Sequence, residues 1–145
     1  RSGALTPVDQ PGQMFCRIHV DDLAGACWHL MHRAEQAPDP SMDNWTVVNV
    51  VDDLPAATSD LLRHAASLLG CELPPLEQFD QIVDSMSPMA QSFWSENRRV
   101  SNHRLCQELG YSLLHPNYRV GLQDCLDQDK LNPSDLRSPP QSANG

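Results

Sequence analysis

The sequence predicts an α/β fold, and three observations predict it. Amphipathic helical stretches alternate with two strand-like runs, at residues 14–20 and 45–51. The second run, WTVVNVV, is apolar almost without a break, the pattern of a strand buried on both faces of a parallel sheet flanked by helices. With 145 residues and 40% of them hydrophobic, the chain is long enough for one domain with a real core.

In chain order, residues 1–13 are polar, rich in Gly and Pro, and read as a loop. Residues 14–20 read as a strand that runs into a helix beginning at Asp21 or Asp22. Leu23, Ala26, Cys27, Leu30 and Ala34 fall on one face of that helix. Its two aspartates suit the positive end of the helix dipole, and His29, His32 and Arg33 suit the negative end. Pro38 and Pro40 close the segment. The strand at 45–51 is ended by Asp52, Asp53 and Pro55. Thr58 or Ser59 then caps a helix with an apolar stripe of Leu61, Leu62, Ala65, Leu68 and Leu69, and Gly70 is its expected left-handed C-terminal cap.

Pro74 and Pro75 mark a turn, and a short helix is expected over 76–83. Ser87 followed by Pro88 is a helix start, because proline is tolerated at the first helical position. Met89, Ala90, Phe93 and Trp94 make that helix amphipathic. A short strand at 98–101 precedes a helix at 102–109 that ends at Gly110. Pro116 opens a last helix in which Tyr118, Leu122 and Cys125 share a face. Residues 1–126 thus form the domain. Residues 127–145 have no periodicity and little to bury, and read as a disordered tail. Two or three strands make a small sheet, too small to supply WTVVNVV with neighbours on both sides. Together with a first residue of Arg1 rather than methionine, this raises the expectation of a processed product or fragment.

Charge narrows the function classes. The net charge is −9, and phosphate binding needs clustered Lys and Arg, so no nucleic-acid partner and no anionic membrane face are expected. No apolar run is long enough to span a bilayer, and no signal peptide is visible. Five cysteines, odd in number and widely spaced, read as reduced core thiols of a cytoplasmic protein.

Each chemistry-bearing cluster has two readings. His29-x-x-His32 with Asp21 or Asp22 has the donor types for a metal; the plainer reading is two exposed histidines at a helix end. Asp52 and Asp53 follow a strand at its carboxyl end, where α/β sheets bind ligands, but acids before a proline are also ordinary loop residues. A paired-carboxylate hydrolase would need both aimed into one cleft. Cys16 lies beside Arg17 and near His19, yet strand alternation sends it to the opposite face from both, which favours burial. Arg17 and His19 share a face and offer a cation and a proton-transfer group together, the best ligand-contact pair in this segment. The alternative is a rim arginine and a histidine bonded to backbone. Arg98 and Arg99 form a second anion contact or a solvated surface.

Four stretches in order, FCRIHVDDLA, WTVVNVVDDLP, ASLLGCELPP and FWSENRRVSNHRLCQELGYSLLHPNYRVGL, resemble the C-terminal portion of an extended or atypical short-chain dehydrogenase/reductase. The similar group is the nucleoside-diphosphate-sugar epimerase-like, NAD(P)-dependent epimerase/dehydratase family. Its H-V-x-D-hydrophobic-A motif matches His19, Val20, Asp22, Leu23 and Ala24. Its buried strand with N-V, polar turn and Pro matches Val48, Asn49, Val50 and Pro55. Its basic-Val-Ser-Asn segment before L-x-x-E-L-G matches residues 99–110. The match covers residues 11–126.

The departures are as informative as the matches. The family's glycine-rich pyrophosphate turn is absent, as is its Tyr-x-x-x-Lys pair: Lys130 is the chain's one lysine, and Leu126 stands four residues before it. The family's diphosphate-binding arginine would fall at Phe15. The resemblance therefore implies a Rossmann-like fold whose N-terminal cofactor half is absent, leaving the last sheet strands and the small substrate-binding lobe. It implies NAD or NADP for the full-length parent, a small-molecule substrate such as a sugar nucleotide, a homodimer in full-length form, and no catalytic residue here. Phe93, Trp94 and Arg98 would lie in or near the lobe, with Arg17 and His19 facing the cleft. The alternative is a non-catalytic binding or interaction domain reusing the fold.

Overall fold

A computed structural model describes residues 7–36 and 47–131. The fold is α/β but mostly helical. In chain order it contains β1 (Val8–Asp9), α1 (Val20–Gln36), α2 (Thr58–Leu69), β2 (Glu77–Gln78) and α3 (Phe79–Ile82). A 3₁₀ turn (Val83–Ser85), α4 (Pro88–Ser95), a wide π-type turn (Arg104–Glu108) and α5 (Tyr118–Leu131) complete it. β1 and β2 pair in parallel, Val8 opposite Glu77 and Asp9 opposite Gln78.

The two expected strands are extended segments, not members of a regular sheet. In residues 14–20 only Phe15 makes a bridge, exchanging both backbone hydrogen bonds with Ala56 in antiparallel sense. Trp45 and Thr46 lie outside the described residues. Residues 47–51 carry no ladder among the described residues, and Val47 is 79% exposed rather than buried on both faces. Their carbonyls accept from side chains instead: Arg104 Nη1 donates to the Val47 oxygen at 3.3 Å and Asn102 Nδ2 to the Val51 oxygen at 3.1 Å. The segment expected as a strand at 98–101 is likewise extended, tied to Cys16 by Val100 N–H donating to Sγ at 3.1 Å.

The helices follow their punctuation more closely. Ser87 caps α4, accepting from Ala90 N–H at 3.3 Å, with Pro88 at the first position. Asn117 caps α5 through Oδ1, which accepts from the N–H groups of Arg119 and Val120. For α2 the cap position is Ala57, without a side-chain cap, rather than Thr58 or Ser59. Gly70 ends α2 at φ +62°, and its N–H reaches back to Ala66 and Ser67. No atom lies within 4 Å of a Cβ built there, so Gly70→Ala meets no steric clash and costs only its left-handed backbone. That variant is expected to lose about 1 kcal/mol in a urea melt. α5 continues to Leu131, five residues past the boundary expected for the tail, and 132–145 lie outside the described residues.

The core is small. Its buried apolar members are Val8, Ala26, Ala56, Ala66, Leu105, Leu109 and Tyr118. α2 packs on α5 and on β1. The stripe expected on α1 buries only Ala26 fully, while Leu23, Cys27 and Ala34 are exposed. Trp28 and Met31 on the same helix are also more than half exposed. All five cysteines are free thiols, but Cys27, Cys71 and Cys125 are exposed, so these three are not core residues.

Candidate functional site

The centre of the molecule is a carboxylate. Asp22, in the first turn of α1, is fully buried. One of its oxygens accepts from Leu114 N–H at 2.7 Å and from the Tyr111 hydroxyl at 3.2 Å. The other accepts from His115 N–H at 2.8 Å and from His115 Nδ1 at 2.9 Å. Burial pushes the carboxyl up, but the hydrogen bonds from Leu114, the His115 ring and backbone, and Tyr111 outweigh it and hold Asp22 below its ordinary value. Burial and the neighbouring Asp22 in turn push the Tyr111 hydroxyl up. Asp22 is thus a tether between α1 and the segment leading to α5, a larger role than complementing a helix dipole. Gly25 makes room for it: a Cβ there would lie 2.4 Å from the Tyr111 hydroxyl oxygen.

His115 brings His19 with it. Their rings stack with centroids 3.9 Å apart, tilted by 32°. His19 Nδ1 accepts from Asp21 N–H at 3.3 Å, and its Nε2 lies 3.3 Å from Cys125 Sγ. The Asp124 carboxylate lies 3.5 Å from His115 Nε2 and 3.8 Å from His19 Nε2. α5 can lie this close because residue 121 is glycine; a Cβ there would sit 3.2 Å from His19 Cδ2. Beside the cluster is an open cleft of about 470 Å³, lined in part by His64, His115, Arg119, Gln123, Asp124 and Asp127.

The sequence-derived site residues fall into two groups. Arg17 and His19 both border a small cleft of about 130 Å³, together with Ile18 between them and Asp52, His115 and Tyr118. The Arg17 guanidinium is committed within the chain, however. It donates from Nη1 to the carbonyls of Phe15 (3.1 Å) and Ala56 (2.8 Å), and from Nη2 to Thr58 Oγ1 at 3.4 Å. Burial lowers its pKa, and Asp52 opposes that shift. Phe93 stacks on Phe15 at 4.7 Å, with Trp94 edge-on to Phe15 at 5.7 Å. Arg17 itself lies over the Phe15 ring at 5.8 Å. Phe15, which sequence reasoning passed over, is therefore the residue that gathers Arg17, Phe93 and Trp94. Arg98 stays apart, exposed and paired with Glu96 at 2.8 Å.

Other candidates disperse. His29 bonds to the Leu109 carbonyl at 2.7 Å, while His32 packs on Trp28 and faces Glu35. Neither joins the aspartates. Asp52 is buried, accepts from Leu54 N–H, and has its pKa raised by that burial; Asp53 is exposed and accepts from Asn102 Nδ2 at 2.7 Å. They do not converge as a hydrolytic pair would. Cys16 is half-buried and receives the Val100 N–H.

Two of the described helix starts are unsuited to a pyrophosphate. α1 opens with Asp21 and Asp22, whose charge repels phosphate, and α2 carries Asp60 in its first turn.

The fold and this cluster define a helix-rich α/β unit built around a buried aspartate. Among solved structures it is similar to a functionally unknown conserved protein from Silicibacter pomeroyi DSS. The identity is 43% and the TM-score 0.76, over 88% of this chain and 42% of that one. The chain thus spans less than half the length of the structure it matches. No family model matches the chain, and no curated protein matches it. No helix among the described residues is long and apolar enough to cross a membrane.

Proposed function

We propose that the chain is the C-terminal, substrate-binding portion of an NAD(P)-dependent oxidoreductase, epimerase or dehydratase of the short-chain dehydrogenase/reductase type, inactive alone. One observation carries the reading. Among the described residues seven apolar side chains are buried, while twelve large ones are exposed, including Val20, Trp28, Met31, Val47 and Phe93. So many exposed apolar side chains beside so small a core suit a unit that packs against further parts of a longer protein. The extended segment at 47–51, which joins no ladder among the described residues, suits the continuation of a sheet supplied by the rest of a longer protein. The similar structure is of such a length. The nicotinamide nucleotide would be held by that remainder. The small molecule would meet the face bearing Arg17, His19 and the Phe15–Phe93–Trp94 cluster.

A chimera tests this. In the Silicibacter pomeroyi protein, the matched part is replaced by this chain, and NADH and NADPH are titrated against the chimera and the intact protein by nucleotide fluorescence. Saturable binding to both is the expected result. An intact protein that binds neither nucleotide overturns the reading. So does a folded chimera without binding beside a binding parent, which is the behaviour of a self-standing interaction domain.

A further inference from the structure

We propose that His19, His115 and Asp124 form a binding site for a divalent transition-metal ion of the zinc class. The site goes beyond the nucleotide-dependent reading and does not rest on it.

The argument begins with proton positions. Asp22 accepts from His115 Nδ1 at 2.9 Å, so that nitrogen carries the hydrogen. In the neutral ring the lone pair is then on Nε2, which faces an Asp124 oxygen at 3.5 Å. Two acceptors point at one another, and a cation between them satisfies both. His19 Nε2 lies 3.8 Å from the same Asp124 oxygen. In the structure His19 Nδ1 accepts from the Asp21 N–H at 3.3 Å, so ligation through Nε2 requires the ring to change tautomer and give up that bond, with the Asp21 carboxylate 3.7 Å from Nδ1. His115 is backed by the Asp22 carboxylate, whereas the Asp21 carboxylate lies beyond hydrogen-bond distance of His19. A carboxylate behind the imidazole fixes the tautomer and raises the basicity of the ligating nitrogen.

The donor geometry is close to what a small cation needs. One donor atom from each of His19, Asp21, His115 and Asp124 lies within 4.8 Å of the others. A tetrahedral zinc site has donor–donor edges of about 3.4 Å. Small rotations of the two stacked rings close that difference. The histidine side chains are only 9% and 10% exposed, and Asp124 is 36% exposed. The site is therefore walled on the α1 side and open toward the cleft lined by Gln123 and Asp127. Gly121 keeps the α5 backbone against His19, which holds the two halves of the site together. Two imidazoles and a carboxylate favour zinc or cobalt over magnesium, which prefers oxygen donors and water. Three protein ligands leave a fourth position for water, the arrangement of reactive rather than purely structural sites.

The full chain is titrated with Co²⁺ alone and with Zn²⁺ alone, with Mg²⁺ as the comparison. One equivalent of Co²⁺ is expected to give visible d–d absorption of four- or five-coordinate intensity, displaced by Zn²⁺ and unaffected by Mg²⁺. Asp124→Asn, at a partly exposed position, is expected to weaken uptake about tenfold or more while leaving the far-UV circular dichroism unchanged. Absence of uptake by the wild-type chain overturns the proposal. Uptake unchanged in both Asp124→Asn and His115→Asn overturns it too. Near-ultraviolet thiolate-to-cobalt charge transfer as the main signal assigns binding to cysteines and has the same consequence. Should Asp124→Asn fail to fold, the wild-type imidazole resonances decide. Movement of the His19 and His115 signals with one equivalent of Zn²⁺ upholds the site, and movement confined to other residues removes it.

Discussion

Asp22→Ala is expected to lower stability by about 4 kcal/mol or more, enough to unfold a marginally stable chain. The substitution leaves four donors without their acceptor: the N–H groups of Leu114 and His115, the His115 ring and the Tyr111 hydroxyl. Each unsatisfied buried donor costs about 1–3 kcal/mol, and the group sits where water cannot replace the carboxylate without opening the fold. The comparison is Asp21→Ala, one residue away and exposed, which should change stability by less than about 0.5 kcal/mol. Urea denaturation of the two variants measures the contrast. Equal and small losses would show that Asp22 is not the tether.

Leu105→Ala carries the second large effect. Leu105 is fully buried within the wide turn Arg104–Glu108, and it is the largest apolar side chain with no exposed surface. Truncation removes its transfer free energy and leaves a cavity, a combined loss of about 3 kcal/mol. Leu105→Met keeps the volume and should cost less than about 1.5 kcal/mol. Leu131→Ala, at an 80% exposed position, should leave the melt where it is. A Leu105→Ala variant as stable as wild type would place the core elsewhere.

The helices were legible in the sequence because their ends are written in local chemistry. Ser87–Pro88 and Gly70 act through bonds to residues three or four positions away, and both behave as their residue types require. The sheet was not legible, for a different reason. WTVVNVV has the composition of a buried strand, but composition does not supply partners. Among the described residues no strand pairs with residues 47–51, and the Val47 and Val51 carbonyls accept from the Arg104 and Asn102 side chains instead, so the segment stays extended and in part exposed. The one ladder among the described residues joins two-residue pieces, Val8–Asp9 and Glu77–Gln78, too short to leave a periodic signal.

The site was half visible. Arg17 and His19 were marked by alternation along 14–20, and they do face one cleft. His115 and Asp124 were passed over because they lie far from His19 in the chain and near no motif of metal-ligand spacing. His115 precedes Pro116 and the Asn117 cap, and so reads as part of a helix entry. The adjacent His29 and His32 drew the metal reading instead, although both are committed elsewhere. Asp22 was seen as helix-terminal charge, since nothing local reveals that its four donors come from residues 111, 114 and 115. Arg17 shows the converse: its residue type suggested an anion, yet its nitrogens are taken by Phe15, Ala56 and Thr58.

The span bridged by that aspartate also governs how the chain reaches its native state. Asp22 and His115 are separated by 93 positions, so the bond between them closes a very long loop. The entropy of closure opposes folding before any of the four bonds can form. Helical chains usually collapse quickly because their contacts are local, whereas this one must await a distant encounter. Folding is therefore expected to be slower than for a helical chain of purely local contacts, and a refolding rate measured after dilution from urea checks it.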